Sequence, residues 1–268
     1  MVTKSYIIGL PASGKTTFLG ALGYSLLNNT NEENFFEIDI VDDLDYLKNL
    51  ANTWAQCKEM DRTTLNSYVN TRLQLQDKDN NKLEIYIPDQ SGEKFEYIIK
   101  ARSINSKMYN EIENCDYIFL FINPSKISND SLIMELKTEY RNASQEKVSA
   151  LDNSIMHEQT QYVSILQDVY KLRKKRTKIK IIISAWDEYN TELAPSELLK
   201  DKLPLFWQYI KANRDFFECE YWGISAQGGD LTNPEEKEKL QNMNNAMERI
   251  IVIDENKKIT HDISVLLK

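Results

Sequence analysis

Residues Gly9-Leu-Pro-Ala-Ser-Gly-Lys-Thr16 hold two glycines, a lysine and a hydroxyl at a spacing that suits a phosphate. Gly9 permits a sharp exit from extended backbone, and Gly14 lets the backbone approach a phosphate with no side chain between them. The N–H groups of Ala12, Ser13, Gly14, Lys15, Thr16 and Thr17 would face that phosphate at the positive end of a helix dipole. Lys15 would reach the β- and γ-phosphates of a nucleotide, and the Thr16 hydroxyl would ligate Mg²⁺. The flanks agree: Tyr6, Ile7 and Ile8 read as a short apolar strand, and residues 17–22 as the opening turns of a helix. Strand, G-x-x-x-x-G-K-[ST], helix is the context that gives this pattern its meaning.

A second candidate is Pro88-Asp-Gln-Ser-Gly-Glu93. An Asp leaving a strand, with Gly three residues on, meets the needs of a Mg²⁺ and γ-phosphate site. Asp89 can hold a metal-bound water, and Gly92 can offer its N–H to the γ-phosphate. Alone, this pattern is a turn more often than a site; downstream of a phosphate loop and at a strand end, the site reading gains.

These residues need elements to hold them. Residues 61–89 read as a β-hairpin: Val69, Thr71, Leu73 and Leu75 alternate with polar residues, 77–82 is turn material, and Leu83, Ile85 and Ile87 alternate again. Phe35, Ile38 and Ile40 suit a short strand. Asp42 or Asp43 can cap an inserted helix over about residues 42–58, whose apolar face is Leu44, Leu47, Ala51, Trp54 and Ala55. Residues 94–104 read as a further helix. The apolar runs at 117–122 and 178–184 read as buried strands. Between them, about residues 125–177, lies a long, largely helical insertion ending in Arg173-Lys-Lys-Arg176, a cationic helix end expected in solvent. Ser196 is expected to cap a helix through Leu203 that Pro204 interrupts. A strand around Cys219–Ile224 should follow, then a helix from about Pro234 carrying Leu240, Met243, Met247 and Ile250. A small hairpin about Asp254–Lys258 closes the pattern.

A hydrophobic content of 41% over 268 residues suffices for a full core, and a formal charge of −8 argues against non-specific binding to nucleic acid or anionic membrane. No apolar run is long enough to span a bilayer, and no leader is expected ahead of the first strand. Cys57, Cys115 and Cys219 lie far apart without paired spacing, which fits core filling in a reducing cytoplasm. Two isolated histidines, His157 and His261, argue against a zinc site.

The order of the motifs points further. The phosphate loop, D-x-x-G, Ser184-Ala-Trp-Asp187 and Ser225-Ala-Gln227 fall at successive strand ends, in an order that resembles the Ras-like (TRAFAC-class) P-loop GTPases over residues 6 to about 250. The resemblance implies that Asp187 accepts hydrogen bonds from guanine N1 and N2, donors that adenine does not present, with Trp186 beside the base. It places Ser225, Ala226 and Gln227 at the S-A-K motif, where the Ala226 N–H would contact guanine O6. Ser184 and Ala185 replace the family's Asn and Lys, removing a brace on the phosphate loop and an aliphatic stem over the base; adenine therefore stays open. The switch threonine that closes on Mg²⁺ would be Thr64 rather than Thr63. Glu93 stands where the family often has a Gln that orients the attacking water. A carboxylate could accept a proton from that water, but its charge near the γ-phosphate is unfavourable. Slow intrinsic hydrolysis is expected, with Arg62 a further candidate as an arginine finger. Within the class, GLPASGKTTFLGAL, IPDQSGE, SAWD and THDIS resemble the bacterial double-GTPase group, found beside other modules in conflict and defence systems.

These readings converge on one domain over residues 1–268. The fold expected is α/β, a three-layer α/β/α P-loop NTPase with about six mostly parallel strands, one of them antiparallel, plus helical insertions. The function expected is a Mg²⁺-dependent, GTP-binding and GTP-hydrolysing molecular switch with GTP/GDP as ligand, catalysis resting on Lys15, Thr64 and Glu93. Cytoplasmic location and protein partners go with it, without a membrane segment or direct nucleic-acid binding. Two alternatives stay open. One is an ATP-using P-loop small-molecule kinase with Arg173 to Arg176 as a cationic lid; the other is a nucleotide-binding module that does not hydrolyse.

Overall fold

In the computed structural model, which describes residues 2–28, 36–60, 69–89, 104, 106–127, 158–189 and 192–268, strand β1 (Val2–Gly9) runs through the middle of a nine-stranded sheet. It pairs in parallel with β4 (Lys82–Asp89) on one side and β5 (Tyr117–Ile122) on the other. Beyond β5 the parallel run continues through β6 (Thr177–Ile183) and β7 (Phe217–Ser225). Antiparallel strands finish both edges: β3 (Val69–Asp77) and β2 (Phe36–Val41) beyond β4, β8 (Ile251–Ile253) and β9 (Ile259–Thr260) beyond β7. The sheet is therefore larger than six strands. The short segment at 36–41 joins the hairpin, and the turn begun by Asp254, whose Oδ1 accepts from the N–H groups of Asn256 and Lys258 at 2.9 Å, pairs two more strands.

A two-residue period decides which core each strand feeds. In β5, Ile118, Leu120 and Ile122 pack with helices α3 (Ser106–Asn114), α4 (Glu158–Arg173), α5 (Pro195–Lys202) and α6 (Pro204–Ala212). Phe119 and Phe121, on the other face, pack with α1 (Lys15–Leu27), α2 (Leu44–Ala55) and a 3-10 turn at Ile263–Leu267. Covered on both faces, the strand needs apolar side chains at every position, hence its unbroken run. The result is the three-layer α/β/α arrangement.

Helix α1 is buried on nearly every side because the sheet takes one face and α2 the other. The two helices meet at Gly20 and Gly23, where an added Cβ would lie 3.1 Å from the Leu50 carbonyl oxygen and 2.8 Å from Leu47 Cδ1. Asp43 caps α2, its Oδ1 accepting the Tyr46 N–H at 2.8 Å.

Several local expectations give way. Helix α5 begins at Pro195, one residue before Ser196, because proline is pre-set for a first helical position. Glu197 reaches back to the Ala194 N–H at 2.8 Å, and Ser196 bonds Glu255 instead. The next helix, α7 (Pro234–Gln241), stops short of Met243, which is 41% exposed. Asn245 then opens a separate 3-10 turn, Ala246–Arg249, by accepting the Met247 N–H at 3.0 Å. Arg173 is not in solvent: 7% exposed, it donates through Nη1 to Cys115 Sγ at 3.0 Å and through Nη2 to the Cys115 carbonyl at 2.6 Å. Residues 173–176 precede β6, so they lie at the amino-terminal edge of the parallel strands, the far edge from the loop after Gly9. They cannot form a lid over phosphates there. Of the 125–177 insertion, residues 128–157 lie outside the described residues, as do residues 94–103 of the expected helix; Ile104 is described and is not helical.

Candidate nucleotide site

A parallel sheet delivers the carboxyl ends of its strands to one edge, and loops leaving that edge form the site. Here β1 leads into residues 10–14, β4 ends at Asp89, β6 leads into Ser184–Asp187, and β7 into Ser225–Gln227. Strand register fixes their alignment: Gly9 lies opposite Phe121, Ile122 opposite Ile183, and Ile183 opposite Gly223. Four motifs far apart in sequence thus share one edge.

The phosphate end is built on α1. Ala12 (φ 55°) and Gly14 (φ 87°) are left-handed, which curls the loop back on itself, the Ser13 N–H donating to the Leu10 carbonyl at 3.3 Å. No side-chain hydrogen bond caps α1 and no acidic residue stands in its first turn, a helix start suited to an anion. Lys15 Nζ folds across the loop, donating to the carbonyls of Gly9 and Leu10 at 2.7 and 2.8 Å and to Ser13 Oγ at 3.1 Å. Ser13 is buried, whereas Thr16 and Thr17 are partly exposed at the opening of the helix.

Two residues from distant segments support this loop; the sequence predicts a lost brace for one of them, Ser184, and no role for the other. An added Cβ on Gly14 would lie 2.8 Å from Ser184 Cβ, so Ser184 packs directly against the loop. Its own N–H and hydroxyl bond the Ile122 carbonyl at 2.9 and 3.3 Å. The serine that replaces the family's Asn thus still buttresses the loop, by packing. Tyr162, on α4, donates its hydroxyl to the Phe121 carbonyl at 3.3 Å and also hydrogen-bonds the Leu10 backbone. Burial pushes this phenol far up, so it stays neutral. The spacing of Tyr162 gives no signal that would set it apart from the other buried residues of α4.

At the base end, Ala185 (φ 54°) turns the chain into a 3-10 turn, Trp186–Glu188, that leaves Asp187 exposed. Trp186, expected beside the base, is instead 7% exposed and fills the space over Gly223, where an added Cβ would lie 2.3 Å from its Cε3. A glycine facing an indole is a packing pair, so Trp186 joins the core at this strand end. Ser225 is fully buried, its Oγ accepting the Gly228 N–H at 3.0 Å. The Ala226 carbonyl accepts the Trp54 indole N–H at 2.7 Å. Gln227 Nε2 is buried with no partner among the described residues. Arg249 is buried next to this loop, bonding the Trp54 and Ala55 carbonyls at 3.2 and 3.1 Å. Neither Trp54 nor Arg249 was singled out: one read as helix core, and nothing in the spacing pointed to the other.

The family model described as Double-GTPase 1 matches residues 6–268. The chain belongs to the Double-GTPase 1 family. It is on that ground a GTP-binding protein of the GTPase class. Solved structures that resemble this Double-GTPase 1 chain include bacterial selenocysteine-specific elongation factor EF-Sec, at 15% identity and a TM-score of 0.37 over 91% of this chain and 29% of that one. The signal recognition particle receptor SRb-GTP/SRX complex from Chaetomium thermophilum gives 13% identity and a TM-score of 0.44 over 90% and 96%. The S. cerevisiae Ski7 GTPase-like domain, bound to GTP, gives 12% and 0.39 over 88% and 45%. These likenesses are too distant to carry an argument about the site. No curated protein matches the sequence.

Asp89 ends β4, its backbone opposite Val69, with its side chain outside the described atoms. Thr64, Thr63, Arg62, Gly92 and Glu93 also lie outside the described residues. Among the described residues, no cluster of three or more His, Cys, Asp or Glu could hold a metal, and no helix is long and apolar enough to cross a membrane. Thr16, partly exposed at the opening of α1, has a hydroxyl that a Mg²⁺ ion bound chiefly through water and nucleotide phosphates would accept as a protein ligand.

Proposed function

We propose that this Double-GTPase 1 chain is a Mg²⁺-dependent GTP switch that binds the nucleotide along the carboxyl edge of its sheet and hydrolyses it slowly. The observation that carries the reading is the uncapped start of α1 behind a left-handed Gly14, with the Lys15 amine drawn over the same loop. The N–H groups of Ala12 to Thr17 and Gly92 bind the phosphates, and Lys15 exchanges its carbonyl partners for β- and γ-phosphate oxygens. Thr16, Thr64 and, through water, Asp89 hold Mg²⁺, which supplies charge neutralisation on the phosphates when bound. Asp187 accepts from guanine N1 and N2, and the Ala226 N–H meets O6, with Ser225 and Gln227 shaping that loop.

Glu93 faces the attacking water. Its carboxylate can take the water's proton but repels the γ-phosphate, so turnover stays low until a partner neutralises it. Loss of the γ-phosphate would release the segments around Thr64 and Glu93 and change a surface that partner proteins read. The motif resemblance to the bacterial double-GTPase group supports a place in a conflict or defence system, in the cytoplasm.

Phosphate release from GTP, with and without Mg²⁺, tests the reading in wild type and Glu93→Gln. The expected result is slow, Mg²⁺-dependent release that Glu93→Gln accelerates. Tight GTP binding with no release from either protein, with or without Mg²⁺, would leave a binding module that does not hydrolyse.

A further inference from the structure

Helix α2 does more than cover α1. We infer that Trp54 and Arg249 are positioning residues for base recognition, holding the Ser225–Gly228 loop where the Ala226 N–H can meet guanine O6. The inference rests on the guanine reading above and adds the parts that set the loop's position. Trp54, on the last turn of α2, is fully buried, and its indole N–H is spent on the Ala226 carbonyl at 2.7 Å. That bond fixes the peptide that follows Ala226, on the residue whose own N–H would read the base. Ser225 Oγ pins the other end of the loop by accepting the Gly228 N–H at 3.0 Å. Gly228 (φ 90°) is backed so closely by Arg249 that an added Cβ would lie 2.7 Å from the Arg249 carbonyl oxygen.

Arg249 closes the circuit. Its guanidinium lies 4.8 Å over the Trp54 ring and donates to the Trp54 and Ala55 carbonyls at 3.2 and 3.1 Å and to Cys57 Sγ at 2.8 Å. The last carbonyls of a helix have no partner within it, and a cation at that negative end is favourable. The end of α2, the base loop and the 3-10 turn at 246–249 are therefore one unit, although they lie up to 195 residues apart. Ala226 cannot shift without breaking the Trp54 bond.

The test uses GTP and 6-thio-GTP, whose sulfur is a poor acceptor in place of O6 while the N1 and N2 donors are kept, against wild type, Trp54→Phe and Arg249→Lys. Melting curves check that each variant is folded. Arg249→Lys leaves the indole in place and carries the test should Trp54→Phe not fold. Wild type is expected to bind GTP more tightly than the analogue. Either variant should weaken GTP by about fivefold, the loss of roughly one hydrogen bond, and leave the analogue within about twofold. A merely structural role predicts equal weakening of both nucleotides. That result, or no change in either, overturns the inference while wild-type discrimination keeps the guanine reading. A wild type that does not discriminate overturns the Ala226 contact itself, and the inference with it.

Discussion

The two ends of the nucleotide site are built on opposite plans. At the phosphate end the loop and its helix come from one continuous stretch, residues 9 to 17, and the Lys15 amine bonds residues within six positions of itself. At the base end, Ala226 is held by Trp54 from 172 residues away, and Trp54 by Arg249 from 195. A site built locally depends mostly on its own backbone geometry. A site built from distant segments depends on the packing of everything between them. The phosphate end should thus depend less on distant packing than the base end, which can be detuned by changes that never touch a ligand.

Lys15→Ala should give the largest effect. Charge-assisted bonds to phosphate are each worth about 1.5–3 kcal/mol, so affinity should fall by about 100-fold for GTP and ATP alike, measured by calorimetry. A loss confined to GTP would break the comparison, because it would place base selection at the phosphate end. Asp187→Ala should weaken GTP by about tenfold and leave ATP unchanged, removing the preference. Equal losses for both would show that Asp187 supports the fold rather than the base.

The contrast in building plans also explains what the sequence could disclose. The phosphate loop was legible because all its parts fall in one window, flanked by the strand and helix that give them meaning. The parallel core was legible because strands covered on both faces must be apolar throughout, as 117–122 shows. Trp54, Arg249 and Tyr162 were not, since their roles exist only after folding brings them beside Ala226 and Leu10. The packing of Trp186 was not legible either: adjacency to Asp187 in sequence suggests the base, and only the fold brings the indole against Gly223. Arg173 likewise sits in a cationic run that looks solvated, yet it is buried and donates to the Cys115 carbonyl and Sγ.

Gly228→Ala should produce a smaller change, confined to the base end. A left-handed residue with its Cβ forced 2.7 Å from a backbone oxygen must shift the loop, at a cost of about 1–3 kcal/mol. Part of that will appear as a several-fold loss for GTP, with ATP spared. Equal loss for both nucleotides would extend the effect to the phosphate end.

The smallest effect belongs to a residue under neither end. Burial pushes the Cys115 thiol from 9.0 up to about 11. Between those values the folded state keeps a proton that the unfolded chain gives up, so stability is full below pH 9.0 and falls as pH rises toward 11. The loss from this group is at most about 2–3 kcal/mol. Cys115→Ala should flatten the fall in melting temperature between about pH 8.5 and pH 10.5 without altering the ratio of GTP to ATP affinity. An unchanged slope would remove Cys115 from the alkaline transition.

The central claim is that the phosphates lie over the start of α1 while Asp187 selects guanine. Calorimetric titration of the wild-type protein with GTP and with ATP, in the presence of Mg²⁺, tests it most directly. The account predicts binding of GTP at least about tenfold tighter than ATP, the lower end of what even one hydrogen bond to a carboxylate is worth. Equal affinities, a preference for ATP, or no binding of either would contradict it.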